Sequence, residues 1–158
     1  MKEKNISKFF RASVALVVFN ENNEILSFER VNLNDVWQLP QGGIKSFENI
    51  IDAGYRELLE ETNIHKTDVR FIAENPDWLT YELPEQFWNE KVGRGQAQKF
   101  IYFKFIGDQA IINPLKVLFP EFKSWSWLSK EKLLEKTSEF RRRNYELALK
   151  YYEENFKF

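Results

Sequence analysis

The sequence contains no cysteine and a single histidine among its 158 residues. The absence of cysteine excludes disulfides, thiolate nucleophiles and cysteine-ligated zinc, and it fits the reducing environment of the cytoplasm. The lone histidine, His65, lies in a polar stretch that is typical of a solvated side chain, and we assign it no catalytic role. Neither residue type therefore carries the chemistry predicted below.

Long apolar runs and an excess of one charge are also missing. The 23 basic and 24 acidic residues give a net charge of −1, so no global field draws the chain to nucleic acid or to an anionic membrane, and a polyanion must be bound by a local patch. No apolar run reaches the length of a membrane span, and the opening "MKEKNISKFF" lacks the apolar core of a signal peptide. We therefore expect a cytoplasmic protein with no membrane partner.

The sequence does contain enough apolar residues for one core. Hydrophobic residues make up 43% of the chain, which favours a single domain over residues 1–158. The pattern predicts strands at 11–19, 25–30, 36–40, 69–74, 99–107 and 124–128, and helices at 46–62, 130–137 and 140–156. Ser46 is the predicted N-cap of the first helix, and 75–96 is predicted to be a long functional loop. This order of elements indicates the α+β class.

The first predicted helix carries three glutamates close together. Glu57, Glu60 and Glu61 have the spacing i, i+3, i+4, which places them within an arc of about 100°. Such carboxylates repel one another, but they are hard oxygen ligands suited to Mg²⁺ or Mn²⁺. Acidic runs on helices are more often solvated faces. The apolar stripe of the helix lies on another side and comprises Ile51, Tyr55, Leu58 and Thr62.

The positions around these glutamates decide between the two interpretations. From Gly42 the chain reads five free positions, Glu48, seven free positions, and then Arg56, Glu57, Leu58, Leu59, Glu60, Glu61, Thr62, Asn63 and Ile64. The charged positions match in identity and spacing the Nudix box, so the sequence resembles the hydrolases that cleave nucleoside diphosphates linked to another moiety. Two positions depart from the family, which usually has glycine where this chain has Phe47 and Asn63. Asparagine is the next most tolerant residue for a left-handed helix stop.

The resemblance implies a Nudix fold, an α/β/α sandwich with a central mixed β-sheet, and a metal-dependent mechanism. The implied ligands of Mg²⁺, with Mn²⁺ as a substitute, are the Gly42 carbonyl, Glu57, Glu60 and Glu61. One of these glutamates, of which we favour Glu57, or a hydroxide on the metal would activate the water. Arg56 and Glu48 match the family's ion pair that fixes the loop against the helix. The glycines at 42 and 43 permit backbone conformations closed to other residues.

Further segments resemble one branch of the family, the bacterial RNA pyrophosphohydrolases and the related asymmetric diadenosine tetraphosphate hydrolases. These segments are "WQLPQGGI", "GQAQKF" and "PEFKSWSWL", followed by "FRRRNY". Within "PEF", Glu121 matches an additional metal-binding glutamate. The substrate-binding residues that the branch implies are Arg11, Arg30 and Lys99 in a phosphate channel, Tyr81 and Gln96 near the same cleft, and Phe140 and Arg141, which hold an RNA base by stacking and hydrogen bonding.

The expected activity is removal of pyrophosphate from the 5′-triphosphate end of RNA, which leaves a 5′-monophosphate. The nearest alternative is cleavage of diadenosine tetraphosphate to ATP and AMP, and the sequence hardly separates the two. A Nudix fold that binds nucleotides without chemistry would have lost its acidic ligands, which this chain retains. The sequence does not say whether a protein activator is involved.

Overall fold

The computed structural model describes residues 9–156, in which eight strands form one sheet. The strands are β1 (Phe10–Phe19), β2 (Ile25–Arg30), β3 (Trp37–Gln38), β4 (Gln41–Gly43), β5 (Val69–Glu74), β6 (Leu79–Glu82), β7 (Gly95–Phe105) and β8 (Phe122–Leu128). The α-helices are α1 (Ile50–Thr62), α2 (Lys130–Lys136) and α3 (Glu139–Asn155). None of the helices in this described part of the chain is long and apolar enough to cross a bilayer.

The centre of the sheet is the pair β1 and β7. These strands run parallel over ten residue pairs, from Phe10 with Gly95 to Phe19 with Lys104. The other pairings are antiparallel: β2 and β4 with β1, β5 and β6 with β7, and β3 and β8 with β2. The sheet is therefore mixed, as predicted.

Each face of the sheet packs against helices, because successive side chains of a strand point to opposite faces. Leu16 and Val18 of β1 lie in a core cluster with Leu58 of α1. Val17 and Phe19 lie in a second cluster with residues of α2 and α3. The result is the α/β/α sandwich of the predicted α+β class.

Helix α1 begins later than predicted. Its N-cap is Asn49, whose side chain accepts a hydrogen bond from the backbone N–H of Asp52, so Ser46 is not the cap. Residues 45–48 form a turn in which Phe47 has φ +63° and a fully exposed side chain. This left-handed conformation is the one that glycine adopts most easily, which explains the family's preference at that position. At the other end, Asn63 has φ 64° and stops the helix as expected.

Two segments outside the predicted strands also pair with the sheet. Gln41–Gly43 forms β4 against β1. Within 75–96, β6 pairs with the start of β7, which begins at Gly95 rather than at Lys99. Tyr81 is buried while Thr80 and Glu82 are exposed, which is the alternation of a strand. The loop was predicted there because prolines and glycines are frequent in residues 75–96. Of these two short strands, β4 packs against α1, and β6, which carries Tyr81, packs against α3.

Candidate active site

The two glycines of β4 lie where charged side chains approach the backbone closely. A Cβ on Gly42 would overlap the Glu57 carboxylate, and a Cβ on Gly43 would overlap the Arg11 guanidinium. Neither glycine has a positive φ, so the conformational freedom we predicted is not the reason for the pair. Glycine is needed because only a residue without a side chain leaves room for both charged groups.

Arg56 holds the turn before α1 against the helix. Its Nε lies 2.7 Å from Glu48 Oε2, and its Nη2 donates to Glu48 Oε1 and to the Gly43 carbonyl at 2.9 and 2.8 Å. Its Nη1 donates to Glu57 at 2.6 Å and to Glu60 at 3.1 Å. The hydrogen bonds from Arg56 lower the pKa of Glu48 to about 2. Arg56 therefore orients two of the predicted metal ligands.

Two of the helix glutamates, Glu57 and Glu61, are buried, and burial opposes the ionisation of both. Burial, followed by repulsion from Glu121 and Glu57, raises the pKa of Glu61 well above its ordinary value of 4.5. Glu61 Oε2 accepts one hydrogen bond, from the Gln41 backbone N–H at 3.1 Å. Burial also raises the pKa of Glu57, although Arg56 opposes the rise. Protonation or a cation would relieve this charge.

The glutamates predicted as ligands line one cavity of about 530 Å³. Glu121 joins Glu57, Glu60 and Glu61 there from the segment before β8. Among the described residues, no three acidic or histidine side chains are gathered closely enough to form a finished metal site. The predicted convergence of the glutamate side chains is therefore only partial. The carboxylates repel one another, and they accept hydrogen bonds from Arg56 and from the Gln41 backbone N–H.

The two arginines predicted to bind phosphate lie on two different strands, Arg11 on β1 and Arg30 on β2. Arg11 packs over Gly43 and pairs in register with Gln96 of β7. Arg30 donates to Gln38 Oε1 at 2.9 Å, and its Nε is buried without a partner. Their guanidinium groups are suited to bidentate contacts with phosphate oxygens.

Tyr81, Phe140 and Arg141 form a cluster that we call the aromatic clamp. The Tyr81 and Phe140 rings are 5.5 Å apart, and the Arg141 guanidinium lies 4.6 Å from the Phe140 centroid. Gln41 donates to the Tyr81 hydroxyl at 3.2 Å and accepts from Gln98 at 3.0 Å. Because the Gln41 backbone also binds Glu61, this residue links the clamp to the glutamate cavity. Sequence reasoning missed Gln41 and Gln98, although both lie in segments that signalled the branch.

Lys99 is not brought to the arginines. Its ammonium donates to the carbonyls of Asn75 and Pro76 at 3.1 and 2.9 Å and lies 3.4 Å from Glu74 Oε1. It pairs with Val14, whose side chain faces α1, whereas the neighbouring Gln98 points to the opposite face. Its place in a phosphate channel stays a prediction.

Buried polar atoms without hydrogen-bond partners concentrate around the arginines and the clamp. Among the described residues these atoms are Ser13 Oγ, Arg30 Nε, Gln96 Oε1, Gln98 Oε1, Thr137 Oγ1, Arg141 Nε and Asn144 Nδ2. Unsatisfied buried groups are rare and often mark a functional site. All of these residues except Thr137, which follows α2, lie on the strands or the helix that carry the predicted substrate residues. This part of the protein therefore suits a polar ligand.

A mixed sheet between helices, with a glutamate cavity beside its first helix, defines a class of α/β/α hydrolase. The NUDIX domain model matches residues 9–148, and the chain belongs to the Nudix family. The chloroplastic Nudix hydrolase 27 of Arabidopsis thaliana is 37% identical over 93% of this chain and 67% of its own length. RNA pyrophosphohydrolases of Teredinibacter turnerae and Dinoroseobacter shibae are 36% and 35% identical, over 89% and 87% of this chain and 84% and 88% of theirs.

Solved structures share the fold. A Caenorhabditis elegans Ap4A hydrolase complex aligns with a TM-score of 0.65 and 18% identity, over 89% of this chain and 96% of that one. The Escherichia coli dihydroneopterin triphosphate pyrophosphohydrolase aligns with a TM-score of 0.66 and 18% identity, over 89% and 97%. At this identity the likeness concerns the fold alone, and it confirms the predicted Nudix architecture.

Proposed function

We propose that this protein is an RNA 5′ pyrophosphohydrolase, which hydrolyses 5′-triphosphorylated RNA to pyrophosphate and a 5′-monophosphorylated end. Family membership and the named RNA pyrophosphohydrolase relatives support this reaction. The structural observation that carries it is the link through Gln41, which joins the aromatic clamp to Glu61 of the glutamate cavity. A base and the adjoining phosphates can thus be held in one site.

The divalent cations of the reaction would be held by oxygen ligands from β4, from α1 and from the segment before β8, namely Gly42, Glu57, Glu60, Glu61 and Glu121. The donor set fits Mg²⁺, with Mn²⁺ as a substitute, because these ions prefer hard oxygens. The fit also rests on burial, since Glu57 and Glu61 are buried carboxylates whose repulsion a cation would relieve. When bound, the ions supply neutralisation of phosphate charge and a more acidic water.

The protein's own residues position the reactants. Arg11 and Arg30 bind phosphate oxygens, and Arg56 holds Glu57 in place. Glu57, whose pKa is raised by burial, accepts the proton of the attacking water as general base. The water oxygen bonds to the phosphorus next to the RNA, and the bond to the leaving pyrophosphate breaks. The absence of cysteine leads us to place this reaction in the cytoplasm.

Arg141→Ala is expected to lower kcat/KM for triphosphorylated RNA by about tenfold, since a base loses its stacking and hydrogen-bonding partner. Turnover of free nucleoside triphosphates should fall less. The matched control is Arg143→Ala, which removes an exposed arginine of the same helix. Steady-state kinetics on both substrates make the comparison, and equal losses on the two would remove Arg141 from base binding.

The proposed function is tested by kinetics of the purified protein on three substrates under one Mg²⁺ concentration. We expect the highest kcat/KM on triphosphorylated RNA, with release of pyrophosphate, and lower values on diadenosine tetraphosphate and free nucleoside triphosphates. Absence of pyrophosphate release from RNA of any length would refute the proposal. A higher kcat/KM on diadenosine tetraphosphate would favour the alternative activity.

A further inference from the structure

The loop between β6 and β7, together with the start of β1, carries an aromatic surface that the proposed mechanism does not use. The Arg94 guanidinium carbon lies 5.8 Å from the ring centroid of Phe10 and 5.1 Å from that of Trp88. We call these three residues the aromatic platform. Phe10 leaves 37% of its surface exposed, and the rings of Phe9 and Phe87 beside it in the chain or in the loop leave 40% and 55%. Single exposed apolar residues are common in proteins, but several rings around one arginine mark a binding surface.

The loop holds the platform in a defined conformation. Trp88 Nε1 donates to the Leu83 carbonyl at 2.7 Å. The Asn89 side chain accepts a hydrogen bond from the Lys91 backbone N–H at 2.8 Å. Gly93 closes the turn, because its N–H donates to the Asn89 carbonyl at 2.8 Å and its φ is +60°. Side chains that are fixed before binding lose little conformational entropy when a ligand stacks on them.

The platform connects to the active site through the aromatic clamp. Arg94 Nε and Nη2 donate to Glu82 Oε1 at 3.0 and 2.6 Å, and Glu82 directly follows Tyr81 in β6. Tyr81 is joined in turn through Gln41 to Glu61. In this series of contacts the clamp stands between the glutamate cavity and the platform.

The clamp and the platform belong to opposite faces of the same end of the sheet, where β1 and β7 begin and β6 ends. Tyr81 and Arg11 pair with the same residue of β7, Gln96, and share its face. Glu82 and Phe10 are one residue removed along their strands and therefore point to the other face. A free nucleoside triphosphate that fills the clamp and the cavity has no further group for the platform. A chain-like ligand can cross this end of the sheet and contact both.

We propose that the aromatic platform binds the nucleotides of single-stranded RNA that follow the base held by the aromatic clamp. A base stacks on Phe10 or Trp88, and Arg94, whose side chain is 34% exposed, donates to the adjoining phosphate. Stacking does not depend on the identity of the base, so the platform adds affinity for an RNA chain and no sequence preference. This inference rests on the proposed function, because the clamp must first place the 5′ end of the RNA.

The test measures the dependence of kcat/KM on RNA length, with triphosphorylated RNAs of two and of six nucleotides. The wild-type kcat/KM should be about tenfold higher on the hexanucleotide, the gain expected from one stacked base. Trp88→Ala should abolish this gain through a higher KM, with kcat unchanged and with kcat/KM on the dinucleotide within about twofold of the wild type. Trp88→Phe keeps a ring but loses the hydrogen bond to Leu83, and it should keep most of the gain.

The matched control is Phe71→Ala, which removes a similarly exposed ring from β5, a strand that pairs with the other end of β7. This variant should keep the whole gain. A wild type whose kcat/KM does not rise with length would overturn the platform. Equal losses in Trp88→Ala and Trp88→Phe would also overturn it, because Trp88 would then act only through its hydrogen bond to the loop.

A second measurement separates binding from catalysis. Fluorescence anisotropy with a 5′-monophosphorylated hexanucleotide, which is a reaction product, reports affinity without turnover. Trp88→Ala should weaken this binding by about tenfold, and an unchanged affinity would overturn the platform. A wild-type dimer in sedimentation that Trp88→Ala dissociates would assign the surface to a second copy of the chain instead. Binding that depends on Trp88 without pyrophosphate release from any RNA would refute the proposed function and support the platform alone.

Discussion

Glu57→Gln is expected to lower kcat on triphosphorylated RNA by about 10²- to 10⁴-fold, the range over which a positioned general base contributes. The amide keeps the size of the side chain that packs over Gly42, but it can neither accept the proton of the water nor bind a cation as a charged ligand. Release of pyrophosphate at saturating RNA and Mg²⁺ measures the effect. KM should change less than kcat, because the phosphates are also held by arginines.

The matched control for this variant is Glu135→Gln, which neutralises an exposed glutamate of α2. Its kcat should equal that of the wild type. A Glu57→Gln enzyme with near wild-type kcat would remove Glu57 from catalysis. A raised KM with an unchanged kcat would instead assign Glu57 to substrate binding.

The part of the site that lies within one helix could be predicted from the sequence. The spacing of Glu57, Glu60 and Glu61 fixes their angles on α1, because a helix has the same geometry wherever it occurs. Asn63 could likewise be predicted as the helix stop, since few residues tolerate a left-handed conformation. Both inferences need only local backbone geometry.

The part that depends on the packing of distant segments could not be predicted in the same way. The need for glycine at 42 and 43 comes from Glu57 and Arg11, which approach the backbone from α1 and β1. No pattern within residues 36–44 reveals these neighbours. The role of Gln41 was missed for the same reason, because its partners Glu61, Tyr81 and Gln98 come from three other elements.

Lys99 shows a second reason why parts of the site could not be predicted from the sequence. A lysine beside a glycine and two glutamines suggested a phosphate contact, but strand alternation turns it away from Gln98. The sequence alone could not say which face of β7 is turned toward the clamp on β6 and α3, because both faces of this central strand are buried.

Glu61→Gln is expected to raise the melting temperature of the metal-free protein by about 3 °C, even though it should impair catalysis. The amide oxygen can still accept the hydrogen bond from the Gln41 backbone N–H. The buried charge that Glu121 and Glu57 repel is removed. Melting in EDTA at neutral pH, followed by circular dichroism, measures the difference. A lower melting temperature would contradict the repulsion inferred here.

The stability of the metal-free protein should also depend on pH through Glu61. Because the folded-state pKa of Glu61 lies above its ordinary value of 4.5, ionisation of Glu61 destabilises the fold at pH values above the raised pKa. That penalty is relieved as the pH falls from the raised value toward 4.5. In EDTA the wild type should therefore gain stability over this range, and Glu61→Gln should gain less. Glu48, with a pKa of about 2, acts in the opposite sense but only below pH 4.5.

Divalent cations should reverse the ranking of the two proteins. An ion that binds the folded state and not the unfolded chain raises its stability in proportion to RT ln(1 + [L]/Kd), so Mg²⁺ or Mn²⁺ should raise the melting temperature of the wild type at neutral pH. Glu61→Gln lacks one charged ligand and should respond much less. Glu135→Gln is the control, because this exposed glutamate of α2 lies outside the proposed ligand set and should leave both the stability and the response to the ions unchanged. If Glu61→Gln responds to the ions as strongly as the wild type, Glu61 is not a ligand.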